Sequence, residues 1–282
     1  MREIAKSIIK IPVLGRSILL LHRARIGLNY FRRPSFHLAK WLFKSKETTN
    51  FTYDLEEGNK RYLASLVSRA TGIGFEEAML YINEIESDLE LRTHISQAIS
   101  KSDFASTADQ EMRFGKRAGW YAIARALKPK VIIETGVDKG LGSCVLAAAL
   151  KKNRHEGHEG YYYGTDINPD AGYLLSGDYA DYGKILYGDS IESLKKFDGP
   201  IDLFINDSDH SATYEAKEYE TIKDKLSERA VILGDNSHCT DKLFEFSLAA
   251  QRDFIFFQER PKDHWYPGGG IGISFKRPWG QS

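Results

Sequence analysis

The chain has little cysteine. Two thiols in 282 residues, Cys144 and Cys239, exclude a disulfide framework and suit a reducing compartment, with the cytoplasm as the expected location. It also lacks any run approaching the roughly 18 consecutive apolar residues of a membrane-spanning helix. The longest apolar run near the N-terminus, Ile18 to Leu21, is bounded by Arg16, His22 and Arg23. No small-residue cleavage site follows a clean apolar core, so no signal peptide is expected. Internal repeats and low-complexity tracts are absent. Net charge is absent too, at +0 overall, and no recognised nucleic-acid motif is present, so a nucleic-acid partner is not expected.

What is present is an apolar fraction of 42%, enough for one large α/β domain with an extension. The zero net charge conceals an asymmetry: residues 1–50 carry eleven Lys or Arg against Glu3 and Glu47, a balance of +9. Ile8, Ile9, Ile11, Leu14, Ile18 and Leu19, then Tyr30, Phe31, Trp41, Leu42 and Phe43, make this segment basic and amphipathic. Two readings stand side by side. Residues 1–46 lie on an anionic membrane surface as a peripheral contact, or they pack on the rest of the chain or on a second subunit, as in a homo-oligomer. Residues 51–107 read as helical, with a break at Thr71-Gly72-Ile73-Gly74. The third region, 108–282, opens with a helix through Arg113, Trp120, Tyr121, Ile123 and Leu127.

From residue 130 strands and helices alternate, which predicts a Rossmann-like, seven-stranded, mostly parallel sheet flanked by helices, with an N-terminal helical extension. Strands are expected at about 131–135, 161–166, 184–187, 201–206, 230–234, 252–258 and 270–276. In such sheets ligands bind beyond the carboxyl ends of the strands. The stretch from Val131 to Ser143 is the most informative: a β-branched strand, a turn holding Gly136, Gly140 and Gly142, and an apolar helical pattern for which Ser143 is the expected N-cap. Glycines there permit positive φ and close approach of a ligand to the backbone, and free N–H groups at the helix start favour a polar partner.

The glycines are spaced G-x-x-x-G-x-G after Glu134, not the G-x-G-x-x-G of a dinucleotide site. This order resembles motif I of class I S-adenosylmethionine-dependent methyltransferases. That resemblance makes Glu134, Gly136, Gly140, Gly142 and Ser143 the expected cradle of the methyl donor, S-adenosyl-L-methionine. It makes Asp166, at the end of the second strand, the ribose ligand, with the insert Asn153 to Gly160 accounting for its distance from the turn; Asp166 in the turn Asp166-Ile167-Asn168-Pro169 is the competing reading. Asp189 and Ser190, after the third strand, resemble the loop that meets the adenine, although Asp189 equally suits a helix N-cap.

The fourth strand runs into Asp207-Ser208-Asp209-His210 and the fifth into Asp235-Asn236-Ser237-His238. Asp207, Asp235 and Asn236 offer the hard oxygen donors that a divalent cation such as Mg²⁺ prefers. Catechol and macrolide-sugar O-methyltransferases resemble this arrangement, which implies a metal-assisted transfer to a hydroxyl of a small-molecule or glycan acceptor, a sugar, glycolipid or natural product, with His210 as base. Asn206 departs from the family pattern, leaving Asp207 and Asp209 as alternatives for one ligand position. His238 and His264 are weaker candidates for the base. A metal-independent methyltransferase and a non-catalytic module that retains the fold are the alternatives. The loop Glu259 to Gly270, rich in glycine and aromatics, either closes over the site or packs on the N-terminal helices.

Overall fold

The computed structural model describes residues 12–47, 52–235 and 237–276. Ile8, Ile9, Ile11 and the expected metal ligand Asn236 lie outside the described residues. The chain divides into two compact units, one running to Ser45 and including Asp263–Pro267, the other beginning at Lys46.

The first unit is a single long helix, α1 (Pro12–Lys44), with Pro34 in its interior. On one of its faces Arg33 pairs with Asp263 at 3.0 Å and His37 stands 3.8 Å from the same carboxylate. One turn further on, Trp41 meets Trp265 edge to face at 5.3 Å between centroids. Of the two readings of the aromatic loop, residues 263–267 follow the packing one.

The second unit starts with three helices, α2 (Glu57–Thr71), α3 (Phe75–Glu86) and α4 (Leu89–Lys101). Gly72, in the left-handed region at φ 84°, ends α2, as its missing Cβ allows. Helix α5 (Arg117–Leu127) follows. It starts later than the sequence pattern suggested, leaving Arg113 in the preceding loop, because Gly115 at φ +51° breaks the helical path.

The alternating part comprises β1 (Val131–Thr135), α6 (Leu141–His155), β2 (Tyr161–Asp166), β3 (Gly183–Tyr187), α7 (Ser190–Lys196), β4 (Ile201–Asn206), α8 (Ala212–Ile222), β5 (Leu226–Asp235), α9 (Lys242–Ala249), β6 (Asp253–Gln258) and β7 (Gly270–Phe275). All seven expected strands form. The sheet order is β3-β2-β1-β4-β5-β7-β6, with β7 antiparallel to both neighbours and every other pair parallel. The order reverses between β1 and β4, and in open α/β sheets ligands bind beyond the carboxyl ends of the strands at such a reversal.

Side chains alternate across the sheet. Ile133, Phe204 and Ile232 face Leu194 of α7, Tyr219 and Ile222 of α8 and Leu243 of α9 in one core cluster. Their neighbours Ile132, Leu203 and Leu233 are likewise buried, on the opposite face. Trp120 and Tyr121 of α5 and Val145 and Leu146 of α6 have no measurable exposure. Truncating a tryptophan so placed costs about 3–5 kcal/mol.

Two local expectations are corrected. The N-cap of α6 is Gly140, at φ 93°, not Ser143, which lies inside the first turn; the turn needs a positive φ at the cap, which glycine supplies. Asn153 is not part of a loop insert but belongs to α6, where its side chain is buried between Arg125 and the Ala124 carbonyl.

Candidate active site

The strand ends bring most of the expected residues to one rim. At the end of β1, Glu134 is buried and accepts a hydrogen bond from the Tyr162 hydroxyl, which in turn meets the Ser143 hydroxyl at 2.7 Å. Burial pushes the Glu134 carboxyl up to about 7, with the Tyr162 bond and the Arg117 charge opposing. A Cβ at Gly142 would collide with this carboxylate and with the Trp120 ring, so the glycine lets helix α6 settle onto Glu134. Gly136, at φ +80°, has the Asp207 carbonyl where its Cβ would be. These two glycines are dictated by close approach. Ser143 is fully buried behind the turn, its hydroxyl committed to Tyr162.

Asp166 closes the turn from the β2 side. Its Oδ2 accepts from the Val137 and Asp138 amides at 3.1 and 3.0 Å, and its Oδ1 from the Asn168 amide at 2.8 Å. The turn-carboxylate geometry is therefore present, and it joins Asp166 to the glycine turn itself. Asp189 caps α7 by accepting from the Glu192 amide at 2.9 Å and also accepts from the Tyr214 hydroxyl at 3.0 Å. Ser190 turns inward, to Tyr214 at 2.9 Å and to Glu218.

At the ends of β4 and β5, Asp207, His210 and Asp235 offer ligand atoms that all lie within 4.8 Å of one another. His210 Nε2 is 3.8 Å from Asp207 Oδ1, and its Nδ1 is 3.9 Å from Glu215 Oε1. Asp209 is not in this cluster; it is exposed and accepts from the Ser211 amide at 2.8 Å. Of the two register alternatives, only Asp207 is brought to the site. His238 is exposed, and His264 belongs to the first unit, where its Nδ1 accepts from the Tyr266 amide at 3.0 Å.

The electrostatics of the two carboxylates diverge. Burial, then the neighbouring Asp235 charge, hold the Asp207 carboxyl well above the usual range. Burial also acts on Asp235, but the Lys116 ammonium outweighs it and the Asp235 carboxyl is lowered. The neighbouring Asp235 charge thus favours the protonated form of Asp207, while the Lys116 ammonium favours the ionised form of Asp235. The Lys116 ammonium pairs directly with Asp235 and stands 4.0 Å from Glu259. Glu259 is itself buried and accepts from the Tyr53 hydroxyl at 2.9 Å. The Glu215 carboxylate beside the imidazole raises the affinity of His210 for its proton.

Four residues of this site escaped sequence reasoning: Lys116, Glu215, Glu218 and Glu259. Glu218 is a buried hub. It accepts from Ser208 at 2.9 and 3.0 Å, from Thr135 at 3.2 Å, and from Asn206 and Ser190, tying the ends of β1 and β4 to the start of α7. Glu215, also buried, accepts from Thr240. A signal for these two existed: Glu215, Glu218, Tyr219 and Ile222 follow the i, i+3, i+4, i+7 spacing of one buried helix face. Lys116 and Glu259 sit far away in the chain and carry no such pattern.

Residues 133–237 match the family model described as a methyltransferase domain, a span that runs from β1 to just beyond Asp235. Among solved structures, the chain is similar to the tomaymycin-synthesis O-methyltransferase of Streptomyces achromogenes in complex with SAM, at 16% identity over 69% of this chain and 94% of that one, TM-score 0.49. It is also similar to an SAH-bound methyltransferase of Podospora anserina, at 16% identity over 80% and 99%, TM-score 0.46, and to a Bacillus cereus O-methyltransferase with SAH, at 14% over 78% and 99%, TM-score 0.47. None of the curated proteins compared matches the chain.

Proposed function

We propose that this chain is an S-adenosylmethionine-dependent methyltransferase, a reading supported by the methyltransferase-domain match over residues 133–237 and by the sheet order, and that it transfers the methyl group to an oxygen, with a divalent cation such as Mg²⁺ assisting and a hydroxyl of a sugar, glycolipid or natural product as acceptor. The observation that carries the reading is the convergence of Asp207, His210 and Asp235 at the ends of β4 and β5, beside the turn whose Gly136 packs on the Asp207 backbone.

The donor set suits the proposed cation. A buried carboxylate, a half-buried one and an imidazole nitrogen meet in a space of metal-site size, and oxygen donors are what Mg²⁺ takes. Asp207 and Asp235 would hold it, and Asn236 is the further candidate. When bound, such an ion lowers the pKa of a hydroxyl and fixes its direction. The remaining work falls to the chain. The Gly136 turn admits the methyl donor close to the backbone, and Asp166 holds the turn's amides in place. His210 takes the acceptor proton as the oxygen forms its bond to the methyl carbon and the carbon–sulfur bond breaks, leaving S-adenosylhomocysteine and a methyl ether. The Glu215 carboxylate beside Nδ1 favours the tautomer with the proton on that nitrogen, which leaves Nε2 as the acceptor. Holding two reactants in line is worth about 7–11 kcal/mol in favourable cases.

A second reading rests on Lys116. Its ammonium already neutralises Asp235, so a metal-independent transfer would find a cation in the protein itself. The deciding experiment follows release of S-adenosylhomocysteine over a panel of hydroxyl acceptors, before and after EDTA and with Mg²⁺ restored. Loss on chelation and recovery with Mg²⁺ support metal assistance; activity untouched by EDTA supports the lysine reading. A folded sample that does not bind S-adenosylmethionine in calorimetry removes both.

A further inference from the structure

Helix α1 has a composition unlike the rest of the chain. Across Pro12–Lys44 there is no Asp or Glu, against seven Lys or Arg, every one of them exposed. At 100° per residue, Leu20, Ala24, Leu28, Phe31, Ser35, Leu38 and Leu42 fall in one stripe, spaced by three or four. The large side chains of this stripe face solvent: Leu20 is 65% exposed, Leu28 71%, Phe31 60% and Leu42 61%. Arg25 and Arg32 border the stripe on one side, Arg16 and Arg23 on the other. The described contacts with Asp263 and Trp265 fall on another face of the helix, formed by Arg33, His37 and Trp41.

We infer that the Leu20–Leu42 stripe of α1 docks on the surface of an anionic bilayer, the helix lying in the plane of the interface. Exposed leucines and a phenylalanine enter the acyl boundary while arginines on both margins reach the headgroups with their stems lying along apolar surface. Charge complementarity selects the occupant. Two copies of this helix stripe to stripe would oppose arginine margins with no carboxylate between them, whereas acidic lipids supply the missing negative charge. No described helix is long and apolar enough to cross the bilayer, which leaves the surface position. This inference is independent of the metal and of the acceptor.

The test is flotation of the full chain with vesicles of phosphatidylcholine alone and with 30% phosphatidylglycerol, about the content that gives a strongly negative surface. Binding is expected only to the anionic vesicles and should weaken in 0.5 M salt, about where the screening length becomes a few Å. Leu28→Glu with Phe31→Glu should abolish it. Arg25→Gln with Arg32→Gln should weaken it by roughly fivefold per arginine. Circular dichroism and S-adenosylmethionine calorimetry serve as folding controls, since the substituted side chains are exposed. Three results overturn the proposal: no partition of the folded wild-type chain onto anionic vesicles, equal partition of the Leu28/Phe31 double variant, or a self-associating species in ultracentrifugation that the same double variant dissociates.

Discussion

Lys116 and Asp235 form an ion pair nearly closed to solvent, with side chains 12% and 4% exposed, in the middle of the only cluster of potential metal ligands among the described residues. Burial works against the lysine charge, but Asp235, Glu259 and Asp207 together raise its proton affinity above the ordinary value. The acidic centre thus carries its own cation, and any added ion must compete with it for Asp235.

Replacing that lysine separates the two readings of the chemistry. Lys116→Met leaves Asp235 buried without its partner, an arrangement that costs about 3–5 kcal/mol and that a bound divalent ion relieves. Under metal assistance, Mn²⁺ should bind at least about tenfold tighter by calorimetry or paramagnetic resonance, with methyl transfer still detected in Mg²⁺. If the lysine is itself the working cation, turnover collapses and Mg²⁺ does not restore it.

His210→Ala should lower turnover by about 10²- to 10⁴-fold, the usual range for a removed general base, while S-adenosylmethionine affinity in calorimetry stays within twofold of wild type, roughly the scatter expected when no donor contact is lost. Wild-type turnover in a folded variant would remove His210 from the mechanism. Glu215→Gln, which weakens the partner of Nδ1, should fall between the two.

Gly136→Ala tests the turn. Its φ of +80° disfavours any Cβ by about 1–2 kcal/mol, and the Asp207 carbonyl occupies the space besides. Donor binding should be lost and the unfolding midpoint lowered. Gly58→Ala, in α2 with nothing within 4 Å of its added Cβ, is the control and should stabilise by about 0.4–1 kcal/mol.

Glu218 makes stability depend on pH in a defined direction. Burial raises its carboxyl from 4.5 to about 7 despite the hydroxyl donors around it. A raised folded value means that the fold favours the protonated form, so this contribution is complete below pH 4.5 and is lost as pH rises through about 7. The span corresponds to about 3 kcal/mol. Denaturant titrations of Glu218→Gln from pH 4.5 to 8 should show that slope flattened; an unchanged slope would place the titration elsewhere.

The strands were legible because a period of two and β-branched residues mark them, and the glycine turn because Gly136 must adopt positive φ and Gly142 must admit the Glu134 carboxylate. Gly140 shows the limit of that reading. A serine two residues inside a helix looks like a cap in one dimension, and only the left-handed backbone at Gly140 shifts the helix start. Lys116 was invisible for another reason. Its partners Asp235 and Glu259 are more than a hundred residues away, and a single lysine before a helix differs in no local pattern from a solvated one. Glu215 and Glu218 were hidden by their type, since acidic residues on a helix are usually exposed, and only Tyr219 and Ile222 on the same face signal burial.

The backbone of Asp207 lies against Gly136 and is bonded to it indirectly, through the Asp207 amide that donates to the Thr135 carbonyl at 2.9 Å. The junction between the glycine turn and the end of β4 is therefore main chain, with no rotamer to adjust. That makes the spacing between turn and acidic tip a fixed reference, retained through side-chain exchanges elsewhere so long as residue 136 has no Cβ.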